Sequence, residues 1–171
     1  MQGHKIEVEQ VEDSRAYPDF QSCASRKIRD YSVFVKGGNK ERKGIWKMVQ
    51  VGDVITFQKF FTTEDVRLFS EISGDEGSHH IHPDEEGRLI VQGLLTATLP
   101  TKVGGEHNVL ARNMNFEFIR PVYTNDVIEC KVKIEQLSEE EKKYVISSTF
   151  SCRNQRNEVV LKGGFSGIIR K

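Results

Sequence analysis

One short segment, Ser73 to Glu85, concentrates most of the side chains in this sequence that could do acid–base or metal chemistry. It reads SGDEGSHHIHPDE and holds three of the chain's five histidines and four carboxylates. An imidazole titrates near neutral pH and a carboxylate can accept a proton, so the two groups together can move protons. The same side chains also bind divalent metals. The sequence on either side of the segment is needed to distinguish proton transfer from metal binding.

A metal site is the main chemical alternative for this segment. In an extended chain His80 and His82 would point to the same side, and Asp75, Asp84 or Glu85 could complete a ligand shell. The segment lacks the HExxH spacing of helical zinc sites, and the sequence offers no second ligand cluster. We therefore expect no metal and no cofactor, with proton transfer as the chemistry of the segment.

The overall composition excludes several classes of function. The chain has 171 residues, and its 25 basic residues balance its 25 acidic ones, which is untypical of a protein that grips nucleic acid through phosphates. Its three cysteines form no CxxC pair, and the N-terminus lacks the apolar core of a signal peptide. The apolar run Leu89 to Thr101 is too short to cross a bilayer. We expect a cytoplasmic protein without a nucleic-acid or membrane partner.

The chain divides into two parts. Residues 1–48 show neither sustained alternation nor a helical stripe, and they contain Pro18 and the charged run KERK at 40–43. This pattern predicts an N-terminal extension that is partly disordered or loosely packed. Residues 49–171 carry clear periodic patterns, which predict one folded domain.

Two helices should flank the histidine-rich segment. A strand is predicted over Val54 to Phe61, followed by a helix with Thr62 as N-cap and Asp65 reaching back to it. Val66, Phe69 and Ile72 follow at helical spacing, with Gly74 as the stop. After the segment, Leu89 to Val103 is apolar on all sides, which predicts a helix buried on most sides, kinked or ended early by Pro100 and closed by Gly104-Gly105.

The last third of the sequence predicts an antiparallel meander. Strands are expected over Leu110 to Phe118, Ile128 to Glu135, Lys143 to Cys152 and Val159 to Ile169, with Ser138 to Lys142 and Asn154 to Glu158 as connections. A largely apolar helix together with a curved sheet predicts an α+β fold in which the sheet wraps the helix.

The sequence resembles the MaoC-like, R-specific enoyl-CoA hydratases over about Val49 to Ile169. Four motifs carry the resemblance in the family's order: VGD at 51–53, FTTEDV at 61–66, SGD at 73–75 and FIRPVYTND at 118–126. The resemblance implies a hot-dog fold, an acyl-CoA substrate and a homodimer. The family signature is aspartate, any residue, asparagine, proline, any residue, histidine. Asp75 and His80 match its catalytic positions, whereas Gly77 and Ser78 replace the usual Asn-Pro, and Gln92 stands where histidine is common.

The resemblance also implies roles for individual residues. Asp75 would activate water and His80 would hold it and shuttle the proton, while the Gly93 N–H would polarise the thioester carbonyl. Thr101 falls where some family members carry a hydroxyl near the substrate. The expected reaction is the reversible hydration of trans-2-enoyl-CoA to (R)-3-hydroxyacyl-CoA. A non-catalytic acyl-thioester-binding protein and an acyl-CoA thioesterase stay open as alternatives.

Several residues near the segment have a less specific interpretation. His79 and His82 are expected to be loop or packing residues, and Arg120 is expected to satisfy backbone or carboxylate groups at the end of a strand. Gly93 could serve helix packing alone. The basic side chains available for CoA phosphates include Arg88, Lys102 and Arg112, and the sequence does not rank them.

Overall fold

The computed structural model describes residues 34–35 and 49–171. The predicted N-terminal extension, residues 1–48, therefore lies almost wholly outside the described residues. Among the helices described, none is long and apolar enough to span a membrane.

Six strands form one antiparallel sheet in the order β1-β2-β4-β5-β6-β3. The strands are β1 Phe34–Val35, β2 Val54–Lys59, β3 Leu110–Phe118, β4 Ile128–Glu139, β5 Lys143–Arg153 and β6 Val159–Arg170. The helices are α1 Thr63–Ser73, α2 Ser78–Ile81 and α3 Gly93–Glu106. The longest helix, α3, packs against the sheet through β3 and β4. A sheet around one central helix is the hot-dog arrangement, so the predicted α+β hot-dog fold is confirmed.

Alternation of apolar and polar residues places the core on one face of β4. Ile128, Cys130, Val132 and Ile134 are all essentially inaccessible to solvent. Each of these side chains points to the same side because successive residues of a strand alternate between faces. Cys130 pairs in register with Cys152 of β5, and both are buried free thiols. The strand continues to Glu139, four residues beyond the predicted end, with a register shift between Ile134 and Gln136.

Helix α1 begins and ends as its sequence predicts. Thr62 and Asp65 form a reciprocal capping box, and Gly74 closes the helix in the left-handed conformation at φ 73°. The expectation that Ile72 faces the core is wrong, because its side chain is 84% exposed. The buried face instead runs through Val66 and Ser70. Position 72 lies about 200° around the helix from position 70, at ~100° per residue, and therefore faces solvent.

Helix α3 differs from its predicted bounds at both ends. Leu89 and Val91 are held in an extended segment by backbone hydrogen bonds, from Thr124 N–H to the Leu89 carbonyl and from Val91 N–H to the Val122 carbonyl. The helix therefore starts at Gly93, and it continues through Pro100 and both later glycines to Glu106. In an apolar run, hydrophobic periodicity alone does not distinguish a buried strand from a buried helix. The predicted start of α3 at Leu89 is wrong for this reason.

One face of α3 is also more accessible than predicted. Leu94 is 62% exposed, and Thr98 and Thr101 are exposed as well. The residues facing the sheet are Leu95, Thr96, Ala97, Leu99, Pro100 and Val103, all buried. The sheet thus covers one side of the helix, and Leu94, Thr98 and Thr101 on the other side are left uncovered.

Candidate active site

The end of α1 fixes the backbone at Asp75. Gly74 donates its N–H to the Ser70 carbonyl at 2.8 Å, which closes the helix and turns the chain. The Asp75 N–H then donates to Ser73 Oγ at 3.1 Å, and the Asp75 carbonyl accepts from Ser70 Oγ at 2.9 Å. The Asp75 peptide is therefore held on both sides by serines of α1, while its carboxylate stays 51% exposed.

Helix α2, a single turn absent from the sequence prediction, places His80. The His80 side chain is only 6% exposed, and its Nδ1 lies 2.6 Å from the Ile90 carbonyl oxygen. A carbonyl only accepts hydrogen bonds, so Nδ1 carries the proton and donates it. In the neutral imidazole Nε2 is then an acceptor, free to take a proton.

Asp75 and His80 are brought together by these two local structures. His80 Nε2 lies 3.7 Å from Asp75 Oδ2. This separation is too long for a hydrogen bond. In a neutral imidazole protonated on Nδ1 and an ionised carboxylate, the two facing atoms, Nε2 and Oδ2, are both hydrogen-bond acceptors. A water molecule can therefore donate one hydrogen to each of them.

His80 lines a cavity of about 330 Å³ that also receives the N-terminus of α3. Its walls include His79, Gly93, Thr96, Phe118 and Arg120. As the first residue of α3, Gly93 has no intrahelical acceptor for its N–H, and the helix adds partial positive charge at that end. A carbonyl oxygen of a ligand in the cavity can accept from such an N–H.

Gly93 is also needed for packing. A Cβ built at Gly93 would lie 3.2 Å from Cε1 of Phe118, a ring that belongs to β3. The absence of a side chain thus allows the aromatic wall of the cavity to approach the start of α3. The structure supports the packing interpretation of this glycine, and it is equally compatible with N–H donation into the cavity.

His79, expected to be a loop or packing residue, packs against His80 and lies in the wall of the cavity. Its ring centroid lies 4.0 Å from that of His80, at an interplanar angle of 57°. A Cβ at Gly77 would lie 3.0 Å from His79 Cε1, so the glycine makes room for the two tilted rings. The contact between His79 and His80 depends on helix α2, which the sequence does not predict, so no sequence pattern indicates this contact. His82 caps the C-terminal end of the same turn.

Thr101 lies away from this cavity. It is eight residues beyond Gly93, about 12 Å along α3 at ~1.5 Å per residue. Its Oγ1 donates to the Thr98 carbonyl at 2.6 Å. The side chain lines a second cavity of about 110 Å³, whose other walls include Val109, Met114 and Phe165. The structure does not bring Thr101 to Asp75 and His80.

The two curated relatives that the chain matches are both dehydratases of 3-hydroxyacyl thioesters. One is the mitochondrial 3-hydroxyacyl-[acyl-carrier-protein] dehydratase of Arabidopsis thaliana, 28% identical over 68% of this chain and 75% of that protein. The other is the 3-hydroxybutyryl-CoA dehydratase of Methylorubrum extorquens, 29% identical over 67% of this chain and 77% of that protein. No protein-family model matches the chain.

Solved structures place the same fold among hydratases. The (R)-hydratase from A. caviae, described as involved in PHA biosynthesis, superimposes with a TM-score of 0.62 at 22% identity, covering 70% of this chain and 96% of that chain. The MaoC-like dehydratase from Rhodospirillum rubrum superimposes with a TM-score of 0.58 at 14% identity, covering 72% and 94%. The resemblance to the MaoC-like hydratases and dehydratases is confirmed. Because one relative is described as mitochondrial, the cytoplasmic location stays a prediction.

The backbone torsions at the two departures from the MaoC-like signature do not require glycine at position 77 or serine at position 78. Gly77 has φ −53° and ψ 139°, values open to any residue and favoured before proline. Ser78 is the first residue of α2, the helical position at which proline is best tolerated. The backbone torsions would therefore accept the usual Asn-Pro, but the Cβ of an asparagine at position 77 would lie 3.0 Å from His79 Cε1, so the His79 ring would have to shift.

Asp84, another carboxylate of the segment, is engaged locally. Asp84 accepts from the Arg88 N–H at 2.8 Å and from its guanidinium, and these hydrogen bonds lower the pKa of the Asp84 carboxyl. The Arg88 guanidinium also lies 4.3 Å from the centre of the Tyr123 ring. Within residues 34–35 and 49–171, no group of three or more histidine, cysteine or acidic side chains has the arrangement of a metal site.

The basic residues considered for CoA phosphates lie in different places. Arg88 is paired with Asp84, whereas Lys102 contacts Glu106 at the far end of α3. Burial lowers the pKa of the Lys102 amine. Arg112 is exposed at the register shift in β3. Arg120, expected to satisfy backbone groups, donates to the Val159 carbonyl at 3.0 Å.

Proposed function

We propose that this protein is a hydratase that adds water reversibly to a trans-2-enoyl-CoA and gives an (R)-3-hydroxyacyl-CoA. The observation that carries the proposal is the 3.7 Å separation of Asp75 Oδ2 and His80 Nε2, next to a cavity that receives the N-terminus of α3. The curated relatives support it, since their names describe dehydration of 3-hydroxyacyl thioesters, the reverse of this reaction.

In the proposed mechanism one water molecule bridges Asp75 and His80. Asp75 takes a proton from the water as its oxygen bonds to C3 of the enoyl group. The π electrons of the C2–C3 bond move toward the thioester carbonyl, the proton taken by Asp75 passes to His80 Nε2, and His80 delivers this proton to C2. One water molecule is added in total, and the acid–base pair ends with the protons it began with. The tautomer of His80, fixed by Ile90, keeps Nε2 directed at the water.

The start of α3 would stabilise the charge that develops on the thioester oxygen. The Gly93 N–H and the positive end of the helix supply a preorganised donor there. Such donors act on the transition state more than on the substrate, because the oxygen becomes more negative as the reaction proceeds. Substrate binding by Thr101 is not required by this mechanism and stays a prediction.

We also propose that the protein acts as a homodimer. The uncovered face of α3, with Leu94 exposed, and the edge strand β3, with Leu110 and Phe118 about half exposed, supply an apolar surface and an open row of backbone groups. A second copy could cover both. Analytical ultracentrifugation tests this, and a monomer at micromolar concentration would contradict it.

The decisive experiment follows the absorbance of the enoyl thioester of crotonyl-CoA during incubation with the purified protein. Loss of the conjugated band without free CoA would support hydration. Release of free thiol would identify a thioesterase, and binding without any change in absorbance would favour a non-catalytic acyl-thioester protein. Chiral analysis of the 3-hydroxybutyryl product then tests the (R) configuration.

The carrier is tested in the same assay. The relatives differ, one acting on an acyl-carrier-protein thioester and one on a CoA thioester according to their names. Crotonyl-CoA and crotonyl-acyl-carrier protein should be compared at equal concentration. We expect the CoA thioester to be hydrated, and turnover of the carrier-protein thioester alone would overturn that assignment.

A further inference from the structure

Gln92, the residue before α3, is completely buried and makes two hydrogen bonds. Its Nε2 donates to the Val66 carbonyl at 3.1 Å and to Ser70 Oγ at 2.9 Å. The first acceptor is a carbonyl, which can only accept, so the amide nitrogen must be the atom that faces α1. Gln92 thus ties the start of α3 to the buried face of α1.

Ser70 extends this link to Asp75. Its hydroxyl accepts from Gln92 and donates its only proton to the Asp75 carbonyl oxygen at 2.9 Å. The direction of each bond is fixed, because an amide nitrogen only donates and a carbonyl only accepts. The result is a directed chain of hydrogen bonds from Gln92 through Ser70 to the peptide of Asp75.

The chain joins two parts of the site that are distant in sequence. Gln92 directly precedes Gly93, which lines the cavity, and Ser70 holds the peptide of the residue proposed to activate water. His80 has its own anchor, the bond to Ile90. The Asp75 carboxylate is half exposed, so packing alone does not hold it in place.

Gln92 is not placed there for stability alone. Its Oε1 is buried and finds no hydrogen-bond partner among the described residues. A buried carbonyl without a partner destabilises a protein, and an apolar side chain of similar size would avoid that loss. The arrangement is understandable if the two bonds from Nε2 have a function.

We propose that Gln92 and Ser70 are positioning residues that hold the Asp75 peptide, and through it the carboxylate, at working distance from His80. This inference rests on the proposed role of Asp75 in hydration. Catalysis is sensitive to such placement, because a shift of about 1 Å can lower a rate ~100-fold.

The first test is Ser70→Ala in the full-length protein, assayed with crotonyl-CoA. We expect kcat to fall by roughly 10- to 100-fold while KM changes by about twofold or less, because the substrate contacts remain and the base is displaced. Ser148→Ala is the matched control, since Ser148 on β5 is equally buried and its hydroxyl has no partner among the described residues. Ser70→Thr, which keeps a hydroxyl, should restore most of the lost kcat.

Gln92→Leu tests the other half of the chain and should lower kcat in the same direction. If this variant does not fold, Ser70→Ala still decides the question. An unchanged kcat in folded Ser70→Ala, with only a lower melting temperature, would overturn the proposal. So would an equal loss of kcat in Ser148→Ala.

A structural measurement separates this proposal from the proposed function. In crystals of Ser70→Ala the distance between Asp75 Oδ2 and His80 Nε2 should differ from that in wild-type crystals, and in Ser148→Ala it should not. An unchanged distance in Ser70→Ala overturns the positioning role whether or not the protein hydrates crotonyl-CoA. Wild type that fails to hydrate any enoyl thioester overturns the proposed function instead.

Discussion

The two ends of α3 border cavities that differ in size and in the side chains that line them. At the N-terminal end, Gly93 faces a cavity of about 330 Å³ that also contains His79, His80 and Arg120. At the C-terminal half, Thr101 faces a cavity of about 110 Å³ with mainly apolar walls. The same helix thus borders a larger cavity with histidine and arginine in its wall at one end and a smaller cavity with mainly apolar walls at the other.

The two ends differ in chemistry because different backbone groups are left without partners at each end of a helix. The first turn has N–H groups without intrahelical partners and partial positive charge, whereas the last turn has carbonyls and partial negative charge. A thioester oxygen that gains negative charge is stabilised only at the first of these. The turn α2 brings His80 to the cavity at that end, and Asp75 Oδ2 lies 3.7 Å from His80 Nε2.

The largest effect is expected from the acid–base pair at the N-terminal end. Asp75→Asn and His80→Ala should each lower kcat for crotonyl-CoA by about 10²- to 10⁴-fold, because each removes a group that accepts or delivers a proton in the transition state. The assay is the loss of enoyl absorbance at substrate saturation. Circular dichroism and thermal melting establish that the variants are folded.

Asp84→Asn is the matched control for Asp75→Asn. It makes the same change in the same segment, at a carboxylate that binds Arg88 and does not face His80. Hydration within about threefold of wild type is expected from this variant, because the Asp84 carboxylate makes no contact with the transition state in the proposed mechanism. If Asp75→Asn and His80→Ala also kept such activity, the proposed site would be wrong.

The fold was largely predictable from the sequence because its signals are local. The alternation in β4 and the capping box of α1 are determined by neighbouring residues, and both are confirmed. The start of α3 is not a local property. Leu89 and Val91 are extended because they pair with the segment around Val122, which follows much later in the chain.

The site was predictable only in part. Asp75 and His80 were found through the resemblance and are close in space, although their roles stay predictions. The contacts of His79 and the link from Gln92 through Ser70 depend on a one-turn helix and on packing between helices. Neither leaves a periodic signal in the sequence.

A smaller effect is expected from restoring proline at position 78. Ser78→Pro should stabilise the protein by about 0.4–1 kcal/mol, because proline restricts the unfolded chain and fits the first position of α2 after Gly77. Urea denaturation measures the change, and kcat should be unaffected. Ser147→Pro on β5, a central strand, is the control and should destabilise strongly. Destabilisation by Ser78→Pro would mean that the loop has a different trace.

The C-terminal end of α3 should respond to mild acid through His107. Burial lowers the pKa of this half-buried imidazole, outweighing the opposing effect of Asp53. The unfolded chain therefore binds the proton first, so stability is complete above about pH 6.5 and falls as the pH drops toward the lower pKa of the folded state. The melting temperature should fall less between pH 7.5 and 5.5 in His107→Gln than in wild type. An identical fall would contradict this, and His82→Gln is the control at an exposed histidine.

The smallest effect is expected at Thr101, and it tests whether the two ends of α3 act separately. Thr101→Val and Thr98→Val are matched, since each removes a hydroxyl that donates to the carbonyl three residues earlier at 2.6 Å. Both variants should hydrate crotonyl-CoA within about twofold of wild type, because neither hydroxyl lines the cavity of His80.

A loss of tenfold or more that is confined to Thr101→Val would reverse this conclusion and support the substrate role implied by the resemblance. About 12 Å of helix, at ~1.5 Å per residue, separates Thr101 from Gly93 within one protomer. The hydroxyl would then have to act in the cavity of a second protomer. Mixing Thr101→Val with His80→Ala would test that arrangement, because mixed dimers would regain one intact site only if the two residues come from different protomers.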